Sequence, residues 1–319
     1  MGAGPAGLTA AGVLACEGLQ LDVYDNMYEP GGLLIFGIPE FRMSKDKVRI
    51  GIEELAKAGV SFVLKKRVGD SPNSDLPFDQ ILASYDSVLI ATGAWEPRKM
   101  GVEGEDLRGI YHAAPYIVSY YSAKFGYVES YPAIGNSVAV IGGGLTAMDS
   151  CLVALEQGAK DVYLLYRRTR KEAPAGEKEV DSLEEKGVQI FELKTPIRML
   201  GEKGELRTLI TLDMKLGAKD SSGRPRPEPV PGSEKELDVD SVIIAIGGLS
   251  TPPFSKSIYG ISVAADGRVV VDDKKRTTRR GVFAAGDVET GPSLIGPAVK
   301  SGMDAAATIK QYLVNKQWS

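Results

Sequence analysis

Short apolar runs and helix-period stretches alternate along this chain. Residues 21–25, 60–64 and 87–91 are brief runs rich in β-branched and aromatic side chains, and residues 45–58 between the first two carry apolar positions at helical spacing. The rhythm restarts at Ser137-Val138-Ala139-Val140-Ile141, an apolar run suited to a strand buried on both faces. A helical pattern over 145–156 and a further run over 161–166 follow. Strands alternating with helices predict parallel, doubly wound sheets. Two such starts predict an α/β fold of two Rossmann-like dinucleotide-binding domains, the second inserted in the first. The boundaries are placed at 1–97 plus 252–319 for the outer domain and 98–251 for the insert. From 195 to 216 the pattern becomes β-like, and the Gly/Pro-rich stretch 221–229 reads as an exposed loop. Residues 237–246, 268–271 and 282–285 read as strands, and 294–314 as a closing amphipathic helix.

Composition narrows the chemistry. With 319 residues, 43% of them hydrophobic, there is enough apolar material for two cores. Lys+Arg 38 against Asp+Glu 42 gives a net charge of -4 and no basic footprint for nucleic acid. The two cysteines, Cys16 and Cys151, lie far apart, which excludes a four-thiolate cluster, a zinc ribbon or a vicinal redox disulfide within the chain; no metal site is expected. Both fall in helices that follow glycine motifs, where a small thiol suits the core. No leader pattern or membrane-spanning run is visible, so the protein is expected in the cytoplasm. Any electrons it carries need a bound organic cofactor.

Two glycine motifs suggest which. Gly2-Ala3-Gly4-Pro5-Ala6-Gly7 is a GxGxxG fingerprint, and Asp25, closing a strand further on, stands where an acid accepts the hydroxyls of an adenosine ribose. Only Met1 precedes Gly2, so the sequence offers no full strand ahead of this fingerprint. Either the strand lies upstream or it is supplied in another way, and if the chain starts here the sheet, without its central strand, is expected to retain flavin poorly. Gly142-Gly143-Gly144-Leu145-Thr146-Ala147 is a second fingerprint, of the G-x-G-x-x-A form, and it follows a proper strand. At the end of the next strand, where an acid would mark NADH, stand Tyr166-Arg167-Arg168-Thr169-Arg170. Guanidinium groups there suit the 2′-phosphate of NADPH. His112, the sole histidine, lies in a connecting segment with no evident carboxylate beside it and is not expected to act as acid or base.

Together with Glu29-Pro30-Gly31-Gly32-Leu33-Leu34, Phe36-Gly37-Ile38-Pro39-Glu40-Phe41-Arg42, Ala91-Thr92-Gly93 and the run Gly281 to Asp287 followed by Gly291-Pro292-Ser293, these motifs closely resemble the NADPH-dependent small (beta) subunit of glutamate synthase. The resemblance covers nearly the whole chain. It implies that Gly2, Gly4, Pro5, Ala6, Gly7 and Asp25 hold the adenosine and pyrophosphate part of FAD, and that Gly31, Gly32 and Leu33 line the isoalloxazine. Ala91, Thr92 and Gly93 would mark the crossing between the domains. Gly286 and Asp287 would hold the ribityl chain, and Ser293 with Leu294 would bring the last helix to the flavin pyrimidine edge, where its dipole favours an anionic hydroquinone. Gly142, Gly144, Leu145, Thr146, Arg167 and Arg168 would bind NADPH. No acid, base or nucleophile is expected, because hydride passes between the cofactors.

Members of that family carry an N-terminal cysteine-rich extension with two iron–sulfur clusters, and this sequence shows no counterpart of it. The expected acceptor is therefore external: an iron–sulfur protein, a ferredoxin or a larger catalytic subunit, with a quinone, sulfur or polysulfide as the two-electron alternative. A homo- or hetero-oligomer is compatible with this. Two other readings stay open, a ferredoxin–NADP reductase of the adrenodoxin reductase type and a flavin-poor structural or regulatory subunit.

Overall fold

The computed structural model describes residues 1–220, 223–255 and 258–318. The chain forms two compact units, one built from Met1–Glu96 together with the chain from Gly248 onward, the other from Pro97–Gly247.

The first unit opens with α1 (Pro5–Cys16), whose Pro at the start needs no N–H partner, and β1 (Leu21–Tyr24). Next come the single turn α2 (Leu33–Phe36), the amphipathic α3 (Lys45–Lys57), β2 (Val60–Val63), α4 (Phe78–Ser84) and β3 (Val88–Ile90). The chain leaves the unit through the short strand β4 (Glu96–Pro97). In register Leu21↔Val60, β1 runs parallel to β2, while β3 pairs in parallel with a strand from the end of the chain, β15 (Val282–Ala284). Among the described residues, Met1 and Gly2 bridge these two pairs. Met1 N donates to Leu89 O (2.7 Å), Ala91 N donates to Met1 O (2.8 Å) and Gly2 N donates to Tyr24 O (2.8 Å). Beyond them a groove of about 750 Å³ continues between β1 and β3, floored by Leu14, Val23, Ile81 and Leu89.

The second unit is layered. Its parallel sheet has the order β5-β13-β6-β7-β8, formed by β5 (Ile110–His112), β6 (Ser137–Ile141), β7 (Asp161–Tyr166), β8 (Gln189–Glu192) and β13 (Ser241–Ile244). Alternation along these strands splits the core: Val138, Val140 and Leu164 face α5 (Ala113–Lys124), α6 (Leu145–Glu156) and α7 (Glu177–Glu185), while Ala139, Ile141 and Leu165 face the other way. That second face is covered by an antiparallel sheet of β9 (Lys194–Glu202), β10 (Glu205–Lys219), β11 (Pro225–Pro229) and β12 (Lys235–Asp238), through Met199, Leu206 and Leu209.

The chain returns to the first unit through β14 (Gly248–Leu249) and ends in β15, the single turn α8 (Asp287–Thr290) and the long α9 (Ile295–Asn315). α9 lies close on α1, because Gly302 has no side chain: a Cβ there would meet Ala6 O at 2.3 Å.

Three local expectations are corrected. The loop expected over 221–229 becomes strand β11 at Pro225–Pro229, held on Met214–Lys219 of β10; Ser221 and Ser222 lie outside the described residues. The single strand expected over 237–246 is two strands of different sheets, because Asp240 turns its carboxylate to accept the N–H groups of Asn136 (2.7 Å) and Ser137 (3.0 Å). Residues 268–271 form no strand; Val269 makes only an isolated bridge with Val263.

Candidate functional site

In the first unit, the glycines of the first fingerprint do different work. A Cβ on Gly2 (φ +95°) would stand 2.2 Å from Ala91 O, and one on Gly7 would stand 1.9 Å from Gly2 O. Around Gly4 there is nothing within 4 Å of where its Cβ would be. Gly7 thus closes the turn onto its own backbone, Gly2 seats it against Ala91, and Gly4 leaves the start of α1 bare on its open side. The Gly31–Gly32 turn lies on this loop: Gly31 N donates to Ala3 O (2.8 Å), and a Cβ on Gly32 would come 3.1 Å from Gly4 Cα. Both glycines have positive φ, and Leu33 follows as the first residue of α2.

Asp25 does more than the sequence foretold. Its two oxygens accept the N–H groups of Ala3 (2.6 Å) and Met27 (2.8 Å), so the carboxylate ties the end of β1 to the fingerprint. Beside it lies a pocket of about 440 Å³ lined by Asn26, Lys66, Arg67, Thr92, Trp95 and Phe254. Lys66 and Arg67 sit just past the end of β2, and Lys66 N donates to Asp25 O (3.0 Å). Sequence reasoning missed them, although the basic run 65–67 directly after a strand was a readable signal. Thr92 is tied down within the unit: its hydroxyl donates to Thr251 O (2.7 Å), Trp95 N donates to Thr251 Oγ1 (2.6 Å) and Trp95 Nε1 donates to Thr92 O (2.8 Å). Ala91 is buried, and Thr251 N donates to Gly93 O (3.0 Å).

The Gly286-Asp287 pair reaches the same loop from the other end of the chain. Gly286 (φ +74°) packs on Ala6, whose Cβ lies 2.8 Å from where a Cβ of Gly286 would be. Behind it runs a partly buried relay that the sequence did not reveal. Gly286 N donates to Ser301 Oγ (3.0 Å), the Ser301 hydroxyl donates to Glu289 Oε2 (2.9 Å) and Lys275 Nζ donates to Glu289 Oε1 (2.5 Å). Asp287 accepts the Ser293 hydroxyl at 3.3 Å. Ser293 and Leu294 are exposed at the start of α9, with Leu294 as its N-cap residue.

Burial holds the Asp287 carboxyl above its ordinary range, with hydrogen bonds from Ser293 working in the opposite direction. A raised carboxyl in the folded state favours the protonated form. Its contribution to stability is present at low pH and lost as pH rises through the folded value. Asp287→Asn is therefore expected to raise the melting temperature of the flavin-free protein at neutral pH, with no gain in acid. Thermal melts from pH 4 to 8 would show this, and an equal shift at every pH would refute it.

In the second unit, β6 delivers Gly142 (φ +149°), where a Cβ would meet Ala245 O at 2.3 Å. On Gly143 a Cβ would meet the Tyr166 ring at 2.4 Å, while Gly144 opens to free space. Leu145 and Thr146 are exposed at the first turn of α6, which has no acidic residue there to oppose an anion.

The arginines after β7 part ways. Arg167 is exposed, but Arg168 is 3% exposed and turned inward, its Nη2 donating to Asp220 Oδ2 (2.7 Å) and its Nε to Pro225 O (2.7 Å). Arg170 is occupied by Glu192, Asp181 and Glu184. The expectation that both Arg167 and Arg168 bind NADPH is corrected for Arg168, whose guanidinium is taken up by Asp220 and the Pro225 carbonyl. Arg168 braces β11 in place of facing a ligand.

Cys151 is buried and its thiol pushed up by burial, whereas Cys16, expected in the core, is exposed at the last turn of α1. Neither is paired. His112 is half-buried, and burial lowers its pKa. Among the described residues no group of His, Cys, Asp or Glu could hold a metal ion, and no helix is long and apolar enough to cross a membrane.

The profile of the pyridine nucleotide-disulphide oxidoreductase family matches residues 1–302. The chain is 38% identical over 320 residues to a putative glutamate synthase [NADPH] small chain of Cereibacter sphaeroides, covering 98% of this chain and 76% of that protein. It is 40% identical over 315 residues to the NADP(+)-dependent formate dehydrogenase subunit beta of Moorella thermoacetica, but spans only 43% of its length. In structure it is similar to FprA of Mycobacterium tuberculosis in complex with NADPH, with a TM-score of 0.82 over 98% of this chain and 83% of that one; at 20% identity this likeness concerns the fold. Both relatives are named as a chain or subunit of a larger enzyme. The chain belongs to the pyridine nucleotide-disulphide oxidoreductase family, on its glutamate synthase small-chain branch, and is an FAD-dependent NAD(P)H oxidoreductase.

Proposed function

We propose that the chain takes electrons from NADPH on its second unit to FAD on its first, and passes them to an iron–sulfur protein, a ferredoxin or a larger catalytic subunit. The observation that carries this reading is the pair of glycine cradles, each with two closed positions, by backbone at Gly2, Gly7 and Gly142 and by the Tyr166 ring at Gly143, and one left bare at a helix start. The fit is specific in the first unit: Gly4 leaves room for a pyrophosphate, Asp25 and the pocket with Asn26, Lys66 and Arg67 suit an adenosine, and Gly286-Asp287 converge on the same loop. Gly31, Gly32 and Leu33, packed over that loop, would border the flavin ring. In the second unit Gly142, Gly144, Leu145 and Thr146 would receive the NADPH pyrophosphate. When bound, the two cofactors supply hydride transfer between nicotinamide and flavin.

What the chain itself contributes is binding and orientation. The two free cysteines form no redox pair and Cys151 is inaccessible, so electrons leave to a group other than these thiols, which we assign to an iron–sulfur or larger catalytic partner. The relatives' names, as small chain and subunit beta, support an assembly of that kind.

Arg167, exposed after β7, is a cation available for a 2′-phosphate. An anaerobic titration followed at the flavin band is expected to show bleaching by NADPH well ahead of NADH. In Arg167→Leu the preference should shrink roughly tenfold, as for a lost charge-assisted contact of about 1.4 kcal/mol. FAD-loaded protein that NADPH cannot bleach would refute the hydride route, and an unchanged preference in Arg167→Leu would refute the role of that residue.

A further inference from the structure

Resting on the assignment of Gly31–Leu33 to the flavin ring, the geometry points to α3 as a clamp that sets the position of that segment. Two side chains one turn apart on α3 reach opposite ends of it. Arg49 grips the start, its Nε and Nη2 donating to Glu29 Oε2 (2.9 Å) and Oε1 (2.8 Å) in a two-pronged ion pair. Lys45 grips the end: its ammonium, on a residue only 2% exposed, donates to Leu34 O (2.7 Å) and to Ile38 O, carbonyls within and just past α2.

The placement of Lys45 is costly in two ways. An ammonium out of water needs full hydrogen bonding to be tolerated, and a cation in the first turn of a helix opposes the helix dipole. The carbonyls ending α2 need donors, but water or a neutral side chain could serve them at the surface. A charge carried inward to this point fixes two carbonyls at once. With the start held by Arg49 and Gly31 N bonded to Ala3 O, the segment has little freedom left, although its two glycines would otherwise make it the most pliable part of the site. Lys45 and Arg49 are thus positioning residues, acting on the flavin through Gly31–Leu34.

The test uses FAD-saturated protein. Lys45→Met is expected to shift the flavin absorption band and to slow anaerobic reduction at saturating NADPH about tenfold, with the NADPH concentration dependence unchanged, since misplacing a reacting group by a fraction of an ångström is felt in the rate. Lys45→Arg should recover part of that rate. A purely structural role would lower the melting temperature and leave band and saturated rate as in the parent; that result overturns the clamp. Should Lys45→Met fail to fold, Arg49→Met and the exchange Glu29→Arg with Arg49→Glu decide. The single change should slow reduction and the exchange restore it, and a parent-like rate in Arg49→Met overturns the proposal. Failure of the parent itself to be bleached by NADPH would instead overturn the electron route proposed above.

Discussion

Gly7→Ala is expected to purify without flavin while its second unit stays folded. The added Cβ would sit 1.9 Å from Gly2 O, a backbone atom that cannot swing aside, and Gly2 is itself held against Ala91. Either α1 moves away from the loop or the loop opens. Overpacking of this kind costs on the order of 1–3 kcal/mol, and it falls on the bend that sets the first turn of α1. Affinity for FAD should drop roughly 100-fold. Gly4→Ala is the informative contrast, because nothing in the protein lies within 4 Å of its Cβ. It should leave the melting temperature of flavin-free protein unchanged and weaken FAD binding alone. Flavin content after gel filtration, read beside a melting curve, separates the two cases. Full flavin occupancy in Gly7→Ala would show that the first fingerprint does not form the cradle.

Arg168→Met is expected to destabilise the second unit without touching nicotinamide selectivity. Its guanidinium satisfies a carboxylate and a backbone carbonyl from a nearly solvent-free position, and removing one partner of a buried pair costs about 3–5 kcal/mol. Asp220 is 28% exposed and can be rehydrated, so roughly 2–3 kcal/mol is a fairer figure. For a unit of this size that corresponds to a fall in melting temperature of about 5–10 °C. Lys cannot reproduce the fork, so Arg168→Lys should recover only part of the loss. The ratio of NADPH to NADH reduction rates should match the parent in both variants. A collapse of that ratio in Arg168→Met, with stability intact, would return this arginine to the nucleotide.

The contrast between Arg167 and Arg168 shows where sequence stops being informative. The glycine motifs were legible because their chemistry is backbone chemistry: φ values and close approaches at Gly2, Gly7 and Gly142 follow from having no side chain. The two parallel-sheet rhythms were legible for a similar reason, as strands such as 137–141 bury both faces. Side-chain direction is different. Nothing in the run Tyr166 to Arg170 says which arginine meets Asp220, which is far along the chain and reaches it only through the antiparallel sheet. Lys45 was invisible for the same reason: in sequence it is one charge among several in the first turn of an amphipathic helix, and only the fold reveals its burial. Pro225–Pro229 misled in the other direction. Its three prolines argue against a strand, yet it pairs as a lateral strand of its sheet, where residues without N–H groups are tolerated.

The interruption of one unit by the other also orders events in time. The second unit is a single continuous stretch, Pro97–Gly247, and all of its strands can pair once that stretch has left the ribosome. The first unit must wait for β15 and α9, which supply the partner of β3 and the cover of α1. Its closure joins positions more than a hundred residues apart, a slow step of high contact order. Newly made protein should therefore pass through a stage able to recognise nicotinamide nucleotide but not flavin. Prosthetic-group loading becomes the last act of its maturation.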